Sequence, residues 1–208
     1  MLDVHPPEHT PHSWRDFLIH IATIVVGLVI AVGLEQTVEG IHHRVEVSAA
    51  RRELALEDKK NIKIFHENAG YLDSTQQQVR EYIAILQHSF ATKTPPSRGL
   101  NIDPQLDDFV DTAFKAADRS GTLALMPQDE VAPIADRQLN FTQMEGRIND
   151  MFFKLDRAQA IFLADPDPSH LTVEQEQHLY SELSEVLGDL NSLHATIQGF
   201  ALWFPEYK

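Results

Sequence analysis

The sequence predicts an all-α fold, in which a single N-terminal transmembrane helix continues into an antiparallel helical bundle of about four helices. Three observations predict it. Residues Phe17–Leu34 form an uncharged apolar run, and beyond it apolar residues recur in alternating steps of three and four. No strand alternation, hairpin dipeptide pair or fixed-period repeat competes with that pattern. The implied organisation is a flexible tail over 1–13, a transmembrane helix over 14–36 and a helical bundle domain over 37–208, with linkers near 93–102 and 164–171.

The run FLIHIATIVVGLVIAVGL is 18 residues long, about 27 Å as a helix, which matches the hydrocarbon thickness of a bilayer. Trp14 and Arg15 before it, and His42, His43 and Arg44 beyond it, are expected interfacial anchors. A cleaved signal peptide is the rival reading, because Ala31-Val32-Gly33 offers small residues. The leader has one Arg against three acids, however, and its apolar run is too long for that pattern. Thr23, Gly27 and Ala31 recur every fourth residue and line one face with small side chains, as helix packing within a membrane requires; the same face continues through Glu35 and Glu39. His20 inside the run reads as a satisfied or snorkelling histidine.

After Leu34 no proline occurs until Pro95, so the membrane helix is expected to run on. Ile62, Phe65, Ala69, Leu72, Gln76, Val79, Ile83, Leu86 and Phe90 form a heptad seam in its second half. Traced towards the membrane the register meets Asp58, Arg51, Ser48 and Arg44, where a stutter or a change of partner is expected. The stretch from Thr94 to Gly99 is a linker. A helix is then expected with Asp103 as N-cap and Pro104 at its first position, burying Leu106, Phe109, Val110, Ala113, Phe114 and Ala117 and ending at Ser120-Gly121. The connector holding Leu123, Leu125 and Met126 should pack on the bundle. A third helix begins around Pro127 or after Pro133 and reaches about Leu163, and Asp165-Pro166-Asp167-Pro168 stops it. Thr172 with Gln175 forms a capping box for the last helix, whose apolar side is Leu179, Leu183, Val186, Leu187, Leu190, Leu193, Ile197 and Phe200.

The chain carries 17 Lys and Arg against 31 Asp and Glu. Residues 1–34 contribute only Arg15 against Asp3, Glu8 and Asp16, which leaves 16 basic and 28 acidic residues, net −12, over 35–208. That balance repels phosphate backbones, and no basic stripe offsets it, so no nucleic-acid partner is expected. The absence of cysteine excludes disulfides and thiolate chemistry without fixing a compartment. Arg44, Arg51 and Arg52 bias the C-terminal domain towards the cytoplasm, while an ordinary signal anchor would place it in the periplasm; both topologies stay open.

Metal and catalytic signals are thin. His5, His9 and His12 have helical spacing, but Pro6, Pro7 and Pro11 oppose that helix. His42 and His43 are adjacent and point apart. Glu145 and Asp150 lack the Glu-x-x-His relation of a di-iron bundle, and His178 between Glu174 and Glu182 is ordinary helix charge spacing. No phosphate loop, nucleophile elbow or HExxH is present. The expectation is no enzyme, no cofactor and no bound metal.

The run His12-Ser13-Trp14-Arg15-Asp16-Phe17-Leu18, followed by Thr23-Ile24, Gly27-Leu28, Gly33-Leu34-Glu35-Gln36 and His42-His43-Arg44, resembles a family of uncharacterised bacterial single-pass membrane proteins. The similarity is strongest over residues 12–52, and the Gly121–Met126 connector also looks like its counterpart. The resemblance implies an N-terminal anchor and a helical domain in the inner membrane of a Gram-negative-type bacterium, and it brings no activity or functional residues. The functional expectation is therefore a non-catalytic interaction protein in the lipid bilayer, either oligomeric or an accessory subunit with a protein partner. The alternative is a ligand-sensing bundle that signals through a partner protein.

Overall fold

A computed structural model describes residues 14–208, so the tail over 1–13 and the histidines His5, His9 and His12 lie outside the described residues. Four α-helices are present, α1 Trp14–Thr92, α2 Thr112–Arg119, α3 Gln128–Ala164 and α4 Val173–Trp203, and no strand occurs among the described residues. The chain divides into two units, Met1–Ala49 and Ala50–Lys208.

In the first unit, α1 carries a stretch long and apolar enough to cross a membrane, and none of that stretch is buried by the rest of the chain. Two hydroxyls bond back along the helix, that of Thr23 donating to the Ile19 carbonyl at 2.9 Å and that of Thr37 to the Gly33 carbonyl at 2.7 Å.

In the second unit, the core is built from α1, α3 and α4. Leu72, Val79, Tyr82 and Leu86 of α1 join Ile148, Met151, Leu155, Ala158 and Phe162 of α3 and Leu179, Leu183, Val186, Leu190 and Leu193 of α4 in one cluster. A second cluster packs the rings of Phe65, Phe109, Phe141, Phe200 and Tyr207, with Phe109 and Phe141 stacked at 4.1 Å between centroids. Pairings between α3 and α4 run in reverse order: Arg157 with Glu182, Lys154 with Asp189, Arg147 with Ser192 and Thr196. Those between α1 and α4 do so too, Ser89 meeting Glu176 and Gln76 meeting Asn191. Between α1 and α3 they rise together, Arg51 with Glu130 and Asp58 with Arg137. Thus α1 and α3 run the same way and α4 runs back.

Two helices of the same direction need a long return between them, and here the return is not helical. Residues 93–111 hold no helix, turning at Lys93 and bending at Ser97 and Arg98 before a strap that runs on to Asp111, and α2 begins only at Thr112. The helix expected from Asp103 and Pro104 is absent. Of its expected core only Phe109 and Ala117 are buried, and Leu106, Val110, Ala113 and Phe114 are half-buried. The reason lies in a period-two pattern: Leu100 and Ile102 are buried and Pro104 and Leu106 half-buried, while the residues between them, Asn101, Asp103 and Gln105, are exposed.

An extended strap in a protein interior must satisfy its backbone without a sheet. Side chains of α1 do this. Asn61 donates from Nδ2 to the Val110 carbonyl and accepts from the Val110 N–H, both at 2.8 Å. Asn68 makes the same paired contact with Asp107, at 2.8 and 3.0 Å. Seven residues of helix rise about 10.5 Å and three extended residues about 10 Å, so the two carboxamides fall in register with two backbone units of the strap. Tyr82 donates to the Arg98 carbonyl at 2.9 Å and Ser89 to that of Thr94 at 2.7 Å. From α3, Gln159 accepts from the Ile102 N–H at 2.6 Å and Glu145 from the Phe109 N–H at 2.8 Å.

This requirement also corrects the register of the α1 seam. The buried positions are Leu54, Glu57, Asn61, Phe65, Asn68, Leu72, Thr75, Val79, Tyr82, Leu86 and Ser89. The column Phe65, Leu72, Val79 and Leu86 is as expected. The other column sits one residue earlier than expected, at Asn61, Asn68, Thr75, Tyr82 and Ser89, because polar side chains are needed there. Ile62, Ala69, Gln76 and Ile83 are only half-buried, and Phe90 is exposed against Tyr180.

The remaining elements follow their local signals. Gly121, at φ +76°, takes the left-handed turn after α2, and its N–H meets the Asp118 carbonyl at 3.0 Å. In the connector, Leu123 and Met126 are buried. Thr172 and Gln175 form the reciprocal capping box of α4. At Gly99 a Cβ would sit 3.3 Å from the Phe162 ring, so a larger residue there would require the ring to give way by a few tenths of an ångström.

Replacing Asn68 by Ala leaves an amide and a carbonyl of the strap without partners, at a cost of about 1–3 kcal/mol per buried group. Denaturant unfolding of the full chain should register that loss. Hydrogen exchange should quicken at the Asp107 amide for Asn68→Ala and at the Val110 amide for Asn61→Ala; unchanged exchange at both would refute the ladder.

Candidate functional site

Two surfaces qualify as candidate sites, one in each unit. The first is the apolar stretch of α1. Thr23, Gly27 and Ala31 lie on it, all exposed, and a Cβ added at Gly27 would meet nothing within 4 Å. Among the described residues, none occupies the surface over these small side chains. At the N-terminal end Trp14 stacks on Phe17 with centroids 5.3 Å apart, and Arg15 is exposed beside it. On the other side His42 Nε2 lies 3.0 Å from Glu46 and His43 Nε2 3.9 Å from Glu39, while Arg44 is exposed. The structure therefore brings each histidine to its own helical neighbour, and the two rings do not share a ligand.

The second surface is a cleft of about 370 Å³ between α1, α2 and α3, floored by Leu54, Phe114, Met126, Ile134 and Phe141. Its rim is charged. Arg51 makes a two-pronged contact with Glu130 at 2.8 and 2.9 Å. Glu57, almost fully buried, accepts from the Ala113 N–H at 2.6 Å and the Phe114 N–H at 3.2 Å, capping α2 from another helix. Asp111, the residue at the cap position itself, makes no side-chain cap, so the positive end of the α2 dipole is met by Glu57.

Arg137 ties the cleft to the chain's last residues. It lies 3.3 Å from Asp58 and 3.1 Å from Glu206, and its guanidinium sits over the Phe204 ring at 5.6 Å. Tyr207 is buried and donates to Asp58 at 2.7 Å. Burial pushes the Tyr207 phenol well above its ordinary value, and the hydrogen bond to Asp58 adds to that. The carboxyl of Glu145 is pushed up chiefly by burial, with the Phe109 N–H opposing.

Every ionic group on the rim is thus engaged, and the arrangement offers no free nucleophile or base. Among the described residues no cluster of three or more His, Cys, Asp or Glu side chains could hold a metal ion. The residues that shape this unit, Glu57, Asn61, Asn68, Arg137 and Tyr207, went unnoticed in the sequence. The signal was there for Asn61 and Asn68, which with Thr75, Tyr82 and Ser89 recur with a heptad period one residue before Ile62, Ala69, Gln76 and Ile83. Comparison with protein-family models, with curated proteins and with solved structures finds no match to this chain.

The buried phenols make an alkaline prediction. Burial pushes Tyr82 from 10 to about 12, so above pH 10 the unfolded chain releases a proton that the folded chain keeps, and stability falls until about pH 12. Tyr82→Phe should flatten that part of the stability–pH curve in full-chain unfolding, while lowering stability at neutral pH through loss of the Arg98 contact. A curve of unchanged slope would show that Tyr82 titrates normally.

Proposed function

We propose that the chain is a membrane-anchored, non-catalytic interaction protein of the bacterial inner membrane, either oligomeric or an accessory subunit of a membrane complex. In this reading Phe17–Leu34 crosses the bilayer, flanked by Trp14 and Arg15 on one side and His42, His43 and Arg44 on the other. The helical part is read as an antiparallel bundle in which the extended strap does the work of a descending helix. The reversed pairings of α4 with α1 and α3 support this.

The observation that carries the proposal is the bareness of the apolar stretch. No described residue covers it, and among the described residues the Thr23, Gly27 and Ala31 face is open to another helix. Lipid alone satisfies the side chains but makes no use of a face without bulk. The basic residues Arg44, Arg51 and Arg52 favour a cytoplasmic bundle, and a C-terminal reporter fusion read on both sides of the membrane decides between that and the periplasm.

A second reading rests on the cleft at Arg51, Glu57 and Arg137: a small amphipathic ligand bound there would make the bundle a sensor acting through a partner protein. Ligand-dependent thermal stabilisation of the intact protein that is lost on Phe114→Ala favours it.

For the leading reading, the combined substitutions Thr23→Leu, Gly27→Leu and Ala31→Leu should abolish association of the intact protein in native membranes, scored by co-purification of differently tagged copies or of a partner. The bundle's unfolding should be unaffected. Association that survives all three changes would remove the membrane half of the proposal.

A further inference from the structure

Beyond the membrane, α1 carries another uncovered face. Leu34, Val38, Ile41 and Val45 are spaced by four, three and four, and all are more than half exposed, at 63%, 65%, 57% and 63%. The spacing is a heptad seam, with Val38 and Val45 at its a positions and Leu34 and Ile41 at its d positions. Extended backwards, the same seam takes in Gly27 and Ala31, and forwards it meets Ser48 and then Arg52. No charged residue stands on it from Gly27 to Ser48. Over 35–46 these three aliphatic residues are the only ones, and all fall on one face.

The polar side chains of the segment are organised to leave that face bare. Glu39 pairs with His43 and His42 with Glu46, each along the helix's own surface and off the seam. The stripe lies within the continuous helix α1, Trp14–Thr92, and an aliphatic face left open along a helix is the kind of surface that a second helix packs against.

We propose that the cover is a second copy of this chain, and that Leu34, Val38, Ile41 and Val45 form a short parallel two-stranded coiled coil continuous with the Gly27/Ala31 face. Three arguments select a copy over another partner. β-Branched residues at a, here Val38 and Val45, with Leu at d, here Leu34, favour parallel dimers. Any two copies anchored by the same segment enter the water in the same direction and at the same depth, so their seams meet in register without further instruction. Confinement to one bilayer also raises the effective concentration enough for so short a contact to hold. Arg52, the next a position, sets the limit, because two guanidinium groups would face each other there.

This inference rests on the membrane-anchored reading, and one experiment separates their failures. The chain contains no cysteine, so single substitutions report without background. Val38→Cys, Ile41→Cys, Val45→Cys, Gly40→Cys and His43→Cys, each in the full-length protein, are oxidised in native membranes. Each is also purified under mild solubilisation to see what accompanies it. The expected result is a disulfide-linked dimer several-fold more abundant at 38, 41 and 45 than at 40 and 43. Equal yields at all five positions, or a maximum at 40 or 43, overturn the seam. No cross-link anywhere, with a different membrane protein co-purifying, overturns the dimer and leaves the interaction reading standing. No cross-link and no companion overturn both.

Discussion

An extended chain segment cannot lie in a helical core unless something replaces the sheet hydrogen bonds it lacks, and here two carboxamides do so. Asn61 and Asn68 each hold a whole peptide unit of the strap by donor and acceptor together. Without them Val110 and Asp107 would present unsatisfied backbone groups beside the Phe65 and Phe109 rings, which costs more than the neighbouring apolar contacts return. The strap in turn closes the path between α1 and α3 and delivers Phe109 onto Phe141. It also places the start of α2 against Glu57. The parallel course of α1 and α3 is possible only because this return is extended: about 3.3 Å per residue covers the ground that a helix of the same length would leave half crossed.

The long α1 helix thus serves two environments with two seams. From Leu54 to Ser89 its buried face mixes apolar and polar positions in one heptad register and stays within its own chain. From Leu34 to Val45 its stripe is wholly aliphatic, and the chain leaves it exposed. The two registers do not join. Continuing the outer seam by heptads leads to Ser48 and Arg52, whereas the buried column runs through Val47 and Leu54. A single continuous seam would have had one partner; the break is what lets one helix hold a core on one stretch and present a clean surface on another.

What could be read in the sequence follows where the chemistry is local or simply apolar. The uncharged run, the capping box at Thr172 and the α4 seam through Leu179, Leu183, Val186 and Leu190 are each set by a few neighbours, and each is present; of the two starts open for α3, Pro127 and after Pro133, the helix takes the first and carries Pro133 inside it. The strap was misread because Asp103-Pro104 is a good helix start in isolation, while its true signal, the alternation of Leu100, Ile102, Pro104 and Leu106, is too short to outweigh it. The polar ladder was missed for a deeper reason. A buried Asn is legible only through what it bonds, and Asn61 finds its partner 49 residues away. The same holds for Arg137, Asp58 and Tyr207. Trp14 and Arg44 are legible as residue types suited to an interface, but the open surface over Gly27 takes its meaning from whatever fills it.

Charge finally bears on where two copies can touch. Residues 50–208 carry 15 basic and 25 acidic side chains, so two such units repel, with a reach of about 8–10 Å at physiological ionic strength. Four of their basic groups are held by carboxylates of the same unit, Arg51 by Glu130, Arg137 by Asp58 and Glu206, Lys154 by Asp189 and Arg157 by Glu182, and the excess of acidic groups stands. Association is therefore best borne by a contact that is uncharged along its length, and Gly27 to Ser48 is such a stretch. Because the attraction is apolar and the opposition electrostatic, the contact would strengthen with added salt, the reverse of what an interface built from ion pairs would do.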